Sequence, residues 1–416
     1  ARVDAATLAT RATQVQAWQQ ALNNNADLLL YGCDVAATAD GQAFVATLGR
    51  LMGADVAASD DLTGTTALGG NWTLEYHSGA IEANQLISAD YQLNWQGTLA
   101  TYTVTNTSDG GAGSLRAAII AANSAGGSST ITLSAGTYTL TIAGTSEDAS
   151  ASGDLDITSN ITIQGAGRGS TTINGVGLND RAFDVKNGAT LALQNLTVSG
   201  FDISALQYGG AIYNQGTVNL TGVSLLNNKA VSGGAVYNDT GGVFTATDTV
   251  FKDSTTTSGY GGALWNDASM TLDQVSIVNN TSTRGGGIEQ NAGTLSLINA
   301  TVSGNSSTYD GAGIEIVGGS ATISFSTIAN NSTTNSGIGG GIKLTGGSGS
   351  IANSIVFGNT AQWNGQNIDG ALTSGGHNVV GSSNGFTLAG TDKSANPGLS
   401  ALALDGSSGQ YVQAIT

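Results

Sequence analysis

GGAIYNQGTVNLTGVSLLNN, Gly209–Asn228, decides the fold because the chain restates it five times. It returns as GGAVYN from Gly233, GGALWN from Gly261, GGGIEQ from Gly285, GAGIEI from Gly311 and GGGIKL from Gly339, at intervals of 24, 28, 24, 26 and 28 residues. A second mark, a polar residue after an apolar pair, keeps the same phase at Asn228, Asp253, Asn280, Asn305, Asn331 and Asn359. A period in the twenties, alternating internally and without a helix-length segment, is the pattern of a β-solenoid. Three short strands and three turns use about 25 residues, and each coil lies ~4.8 Å above the last in parallel register.

Stacking turns recurring residues into columns. Gly209, Gly233, Gly261, Gly285, Gly311 and Gly339 are expected at one tight bend, where a Cβ does not fit or φ is positive. Ile212, Val236, Leu264, Ile288, Ile314 and Ile342 are expected to point inward. Asn228, Asn280, Asn305, Asn331 and Asn359 are expected to form a hydrogen-bonded ladder at another corner, with Asp253 as its one interruption. Tyr213, Tyr237 and Trp265 follow the inward residue by one, so they face outward as a short column. Such rings can hold sugars, but mutual stacking for stability is the favoured reading.

Composition agrees with a closed sheet. Only one of 416 residues is proline, Pro397, where average usage would give roughly twenty. Proline removes a ladder donor, so its near absence suits a sheet with few free edges. Charged residues make up 10% of the chain and apolar residues 40%, which is not the signature of disorder. A net charge of −17 weighs against nucleic acid or anionic membrane partners and permits divalent cations. The single Cys33 excludes an intramolecular disulfide framework. No apolar run is long enough to be a transmembrane helix.

The flanks differ in texture. Residues 1–98 read as a partial α/β domain. An amphipathic helix from Ala5 carries Leu8, Ala12, Val15, Trp18 and Leu22; strands follow at 27–35, 54–59 and 71–77, and a helix capped by Asp40 closes at Gly53. Residues 99–208 hold a helix near 114–123, taken as the cap of the solenoid, and the first irregular coils. Residues 209–364 are the regular repeat. In 365–416 the period is lost, and this stretch reads as a closing module. The opening ARVDAATLAT, without Met, reads as a fragment or a processed product whose export signal and anchor lie elsewhere.

The GGAI-plus-Asn repeats resemble the right-handed parallel β-helix of bacterial surface proteins, of the polymorphic outer-membrane and pectate-lyase-like kind. TVTNTSDGGAGSLRAAIIAAN (103–123) resembles the segment that opens many such helices, and SIVFGNT, GGHNVVGSSNGF and ANPGLSAL resemble the module that closes them before an anchor. LLLYGCDVAA, GQAF, GADVAASDDLTG and GGNWTLE resemble an uncharacterised domain heading giant bacterial adhesins, with a caspase- or gingipain-like look. That resemblance implies a Cys nucleophile at Cys33 and a His on an earlier strand. The chain carries only His77 and His377, so the dyad is incomplete.

Each candidate site has a structural counterpart. Cys33 can be a nucleophile or an inert core thiol. Asp60 with Asp61, and Asp154 with Asp156, can hold Ca²⁺ or cap turns. Asp180 beside Arg181 is the nearest approach to a catalytic cluster, since the repeat scatters its charges. The expected function is structural or adhesive: an extracellular rod at the bacterial surface or in a biofilm matrix. It would self-associate end to end into filaments or hold surface polysaccharide or other cells. The alternatives are a polysaccharide lyase or hydrolase on the same scaffold and a Cys-dependent self-processing protein.

Overall fold

The computed structural model describes residues 8, 11–23, 25–66, 69–83, 87–88, 92, 98–144, 147–204, 207–406 and 409–414. The start of the first helix, expected at Ala5, lies outside them. The chain forms two compact units: Ala1–Thr103 with Ala121–Thr132 and Ser159–Thr162, and the remainder. Strand Thr98–Thr103 thus groups with the first unit, where it pairs in parallel with Gly127–Thr132.

In the first unit, β1 (Asp27–Leu30) and β2 (Asp55–Ala58) run parallel, in register from Asp27 opposite Asp55 to Leu30 opposite Ala58. Parallel neighbours need a crossover, and α2 (Ala39–Met52) supplies it, after α1 (Ala12–Trp18). β3 (Tyr76–His77) adds an antiparallel edge. Leu8, Val15, Leu48, Leu51 and Met52 pack as one core, and Ala36, Val45, Val56 and Ala58 as a second.

Two local expectations are corrected here. Thr38, not Asp40, caps α2: its backbone is extended and its Oγ1 accepts the Gly41 N–H at 3.1 Å. Asp40 sits in the first turn instead, where a carboxylate favours the helix dipole. Trp18 is 56% exposed rather than on the apolar face. The α-helix ends at Trp18 and tightens into a 3₁₀ turn over Gln19–Ala21. Gly53 closes α2 as expected, left-handed at φ 64°.

The second unit is a parallel β-helix. One side stacks Leu155–Ile157, Phe183–Val185, Ile212–Asn214, Val236–Asn238, Leu264–Asn266, Ile288–Gln290, Ile314–Ile316, Ile342–Leu344, Ile368–Asp369 and Ser383–Asn384, each paired in parallel with the next. The first residue of every strand from Leu155 to Ile368 is fully buried, so the inward column stands and extends beyond the six residues expected. A further side repeats the arrangement, with Leu225, Phe251, Ile277, Val302, Ile328 and Val356 in register and buried.

The six repeat glycines share one backbone conformation. Gly209, Gly233, Gly261, Gly285, Gly311 and Gly339 all have φ between 55° and 69°. A Cβ at Gly261 would lie 2.3 Å from the Leu264 carbonyl oxygen, a separation no real Cβ tolerates. Gly261→Ala is therefore expected to cost about 2–4 kcal/mol, combining left-handed strain with that clash. Gly188→Ala is the control: φ is 83°, nothing lies within 4 Å of its Cβ position, and only about 1 kcal/mol of strain is expected. Denaturant titration of both variants checks the difference.

The corner asparagines hydrogen-bond in a ladder from Asn280 onward. Asn280 Nδ2 donates to Asn305 Oδ1 at 2.9 Å, Asn305 to Asn331 at 2.9 Å, and Asn331 to Asn359 at 2.8 Å. Each Oδ1 also accepts the backbone N–H of the preceding asparagine, and each Nδ2 donates to a backbone carbonyl one coil back. The interruption is Ser254, not Asp253. Register places Lys252 opposite Val278, so Ser254 aligns with Asn280 while Asp253 joins Asn227, Asn279 and Asn330 at a left-handed corner. Asn and Asp tolerate that conformation, which is why the two neighbouring columns look alike in sequence.

Both columns run past 364. Gly365 has φ 63°, and Asn367 Oδ1 accepts from Asn359 Nδ2 at 3.1 Å. The last described residues then turn back over the solenoid wall: Tyr411 N donates to Ser276 Oγ at 2.9 Å, Ser303 Oγ to Gln413 Oε1 at 3.1 Å, and Gln410 Nε2 to Asp248 Oδ1 at 2.8 Å.

Candidate functional site

The middle residue of each strand on the first solenoid side points away from the core. Read in register, this column is Asp156, Asp184, Tyr213, Tyr237, Trp265, Glu289, Glu315, Lys343 and Asp369. Nearly all of its chemistry-bearing groups sit one coil apart, an arrangement only the register creates.

At its centre the rings stack. Tyr213 and Tyr237 have centroids 5.7 Å apart, and Tyr237 and Trp265 5.5 Å with planes 5° apart. Tyr208 adds to Tyr237 at 4.8 Å and Tyr260 to Trp265 at 5.8 Å. The ring faces therefore meet one another, each contact adding about 0.5–1.5 kcal/mol. Their polar ends are fixed too. Tyr213 Oη donates to Asp239 Oδ2 at 2.5 Å, while Tyr237 Oη and Trp265 Nε1 donate to Asp267 Oδ2 at 3.1 and 2.7 Å.

Below the rings, charges gather. Arg181 Nε lies 3.5 Å from Asp154 Oδ2, its Nη1 3.5 Å from Asp184 Oδ2, and its guanidinium 5.0 Å over the Tyr213 ring. Lys186 Nζ lies 2.7 Å from Asp148, 3.1 Å from Asp156 and 3.1 Å from Asp184. Asp154 and Asp156, read as calcium ligands, thus face cations of the protein itself. Asp180 accepts the Asp154 and Arg181 backbone N–H groups, the work of a turn. Burial, reinforced by Asp180, pushes Asp154 up to about 8. Burial opposes the charge of Lys186, yet the carboxylates of Asp148, Asp184 and Asp156 hold it above the usual lysine range. A lysine held protonated is a poor general base.

Above the rings lie Glu289 and Glu315. They are 2% and 0% exposed. The signal was present: GGGIEQ and GAGIEI put Glu where GGAIYN puts Tyr. A second buried ladder was also missed. Asn214 Nδ2 donates to Asn238 Oδ1, Asn238 to Asn266, and Asn266 to Gln290 Oε1, each at 2.7 Å. The trailing Asn of the motif serves this ladder.

In the first unit, Cys33 is buried at 6% exposure. Its Sγ accepts the Thr63 N–H at 3.1 Å, and burial raises the thiol above its ordinary value. His77 lies on edge strand β3 with Nε2 2.6 Å from the Leu74 carbonyl oxygen. Among the described residues Cys33 and His77 share no hydrogen bond. A thiol so placed is expected to react with iodoacetamide in the native chain at least about tenfold more slowly than after unfolding, as mass spectrometry would read. Asp60 and Asp61 are joined by Glu75, with ligand oxygens mutually within 4.8 Å; Asp27, Asp55 and Glu82 form a like group.

Residues 1–99 match the family described as domain of unknown function DUF4347. No curated protein matches the chain. Among solved structures, the A-module of mannuronan C-5 epimerase AlgE4 of Azotobacter vinelandii is similar at 16% identity and a TM-score of 0.38, over 70% of this chain and 88% of that one. The AlgE6 A-module of the same organism is similar at 16% identity and a TM-score of 0.32, over 71% of this chain and all of that one.

Proposed function

We propose that the chain is a structural and adhesive element of a bacterial cell surface or extracellular matrix, with the β-helix as a stiff spacer. The observation that carries this reading is the use made of the recurring residues. Asparagines and aromatic rings contact their own equivalents in adjacent coils, and the column glycines share one left-handed turn, so the repeat is explained by the solenoid itself. Such a body projects whatever it is joined to, and its ends offer strand edges to further copies. Ca²⁺ belongs to the reading at Asp60, Asp61 and Glu75, which offer the hard oxygen ligands it prefers. The test is electron microscopy of the purified chain with a binding assay on cells displaying it. Uniform rods or filaments and raised cell attachment are expected; globular particles and unchanged attachment would refute the proposal.

One observation favours a second reading, a carbohydrate-active enzyme. The outward column brings acids, cations and aromatics onto a single side. Incubation with polyuronates and β-glucans, with and without Ca²⁺, decides between the two. Release of unsaturated or reducing sugars supports the enzyme, and none is expected from a spacer. Self-processing through Cys33, suggested by the caspase- or gingipain-like resemblance, predicts a cleavage product that Cys33→Ser abolishes.

A further inference from the structure

Glu289 and Glu315 stand directly opposite each other in adjacent coils. Each has an Oε2 that is buried and without a hydrogen-bond partner. The turns press on them: a Cβ at Gly285 would lie 2.4 Å from Glu289 Oε2, and one at Gly311 would lie 2.6 Å from Glu315 Cβ. Neither side chain can swing into water while those turns stay in place.

The charges around them do not balance. Arg284 Nη1 lies 3.7 Å from Glu315 Oε1, but its Nη2 lies 3.5 Å from Asp310 Oδ2, so one cation serves two carboxylates before Glu289 is counted. Asp310 and Asp267 add negative potential at Glu289. Glu315 also faces Lys343, which is held by Asp369, and Thr345, whose Oγ1 lies 3.2 Å from Glu315 Oε1. Two stacked carboxylates in such a place cannot both ionise cheaply.

We propose that Glu289 and Glu315 form a buried carboxyl pair that, protonated, keeps the turns Gly285–Gly287 and Gly311–Gly313 closed in acid and, ionising, releases them as the pH rises. The surroundings of each carboxyl act in the same direction. Burial first and Glu315 second push the Glu289 carboxyl up, and burial pushes Glu315 up against the pull of Arg284. The sign follows. The closed pair binds more protons than an opened pair, whose carboxyls titrate near the ordinary 4.5. Closure is therefore fully favoured below that value and weakens as the pH climbs above it, until the closed pair also ionises. Within that window the opening equilibrium rises about tenfold per pH unit for each extra proton held.

Hydrogen exchange of the full chain at about pH 5 and about pH 8, corrected for intrinsic exchange, tests this locally. Asp154 also gives the whole molecule a pH response, so the readout must be the amides themselves. Gly287 and Ile288 donate from one clasped turn to the other, and Gly313 and Ile314 from the second clasped turn to Gly340 and Gly341, whereas Ala235 and Val236 donate to Ala263 in unclasped coils. The first set is expected to lose protection at least about tenfold more than the second at the higher pH. Glu289→Gln, or Glu315→Gln if the first fails to fold, is expected to shrink that difference, since one of the two proton-binding carboxyls is gone. Equal loss in both sets, or a difference undiminished in both variants, would overturn the proposal.

Discussion

Arg116→Met is expected to destabilise the opening of the β-helix by about 3–5 kcal/mol, the cost of removing one partner of a buried ion pair. Arg116 is 2% exposed. Its Nε donates to Asp109 Oδ1 at 2.8 Å, its Nη1 to the carbonyls of Ser150 and Asp154 at 3.0 and 3.1 Å, and its Nη2 to that of Gly153 at 2.7 Å. Asp109 Oδ2 in turn accepts the Thr141 and Ile142 N–H groups at 2.6 and 2.7 Å. Removing the guanidinium strands one carboxylate and three carbonyls. Arg116→Lys is expected to recover little, because an ammonium cannot span that fan of acceptors. Solenoid stability is nearly additive by coil, so the loss should appear as early exchange of amides near 141–155 ahead of the main transition. A variant as stable as the parent would show that this pair is not what fixes the opening turn.

Asn305→Leu is expected to cost about 4 kcal/mol, from the interior of the ladder rather than its end. Asn305 Oδ1 accepts both the N–H and the Nδ2 of Asn280, and its own Nδ2 donates to Ile277 O at 2.8 Å. Leucine matches the volume but leaves three fully buried polar groups unpaired, at about 1–3 kcal/mol each before relaxation. Asn228→Leu is the comparison, expected to lose about half as much. Asn228 makes only the longer bonds to Phe201 N and Val198 O, at 3.2 and 3.4 Å, and its neighbour in the column is Ser254. Equal losses in denaturant titration would mean that the ladder does not act as a chain.

These two cases mark where reading the sequence succeeded and where it stopped. GSLR was recognised as an opening signature, but nothing in the linear chain says that Arg116 meets carbonyls 34 to 38 residues away. The asparagine corner was recognised by its period. The phase slipped by one at Asp253, since the corner residue before the ladder is also Asn at Asn227, Asn279 and Asn330, and both columns are explained equally well in one dimension. Cys33 stood out by being the sole cysteine, and only the structure places it buried against Thr63.

Periodicity by itself determined the parallel stack, the left-handed glycines, the inward aliphatic column and the outward aromatic one. A repeat commensurate with one coil forces equivalent residues together whatever lies between them. Tertiary structure alone decided which polar residues outside the asparagine columns are buried. Glu289, Glu315 and Asp154 owe their environment to turns folding over them and to charges on other coils, and such burial leaves no periodic trace. The return of Gly409–Gln413 over Ser276 and Ser303 is likewise invisible beforehand, because a single crossing of a repeated wall needs no repeat of its own.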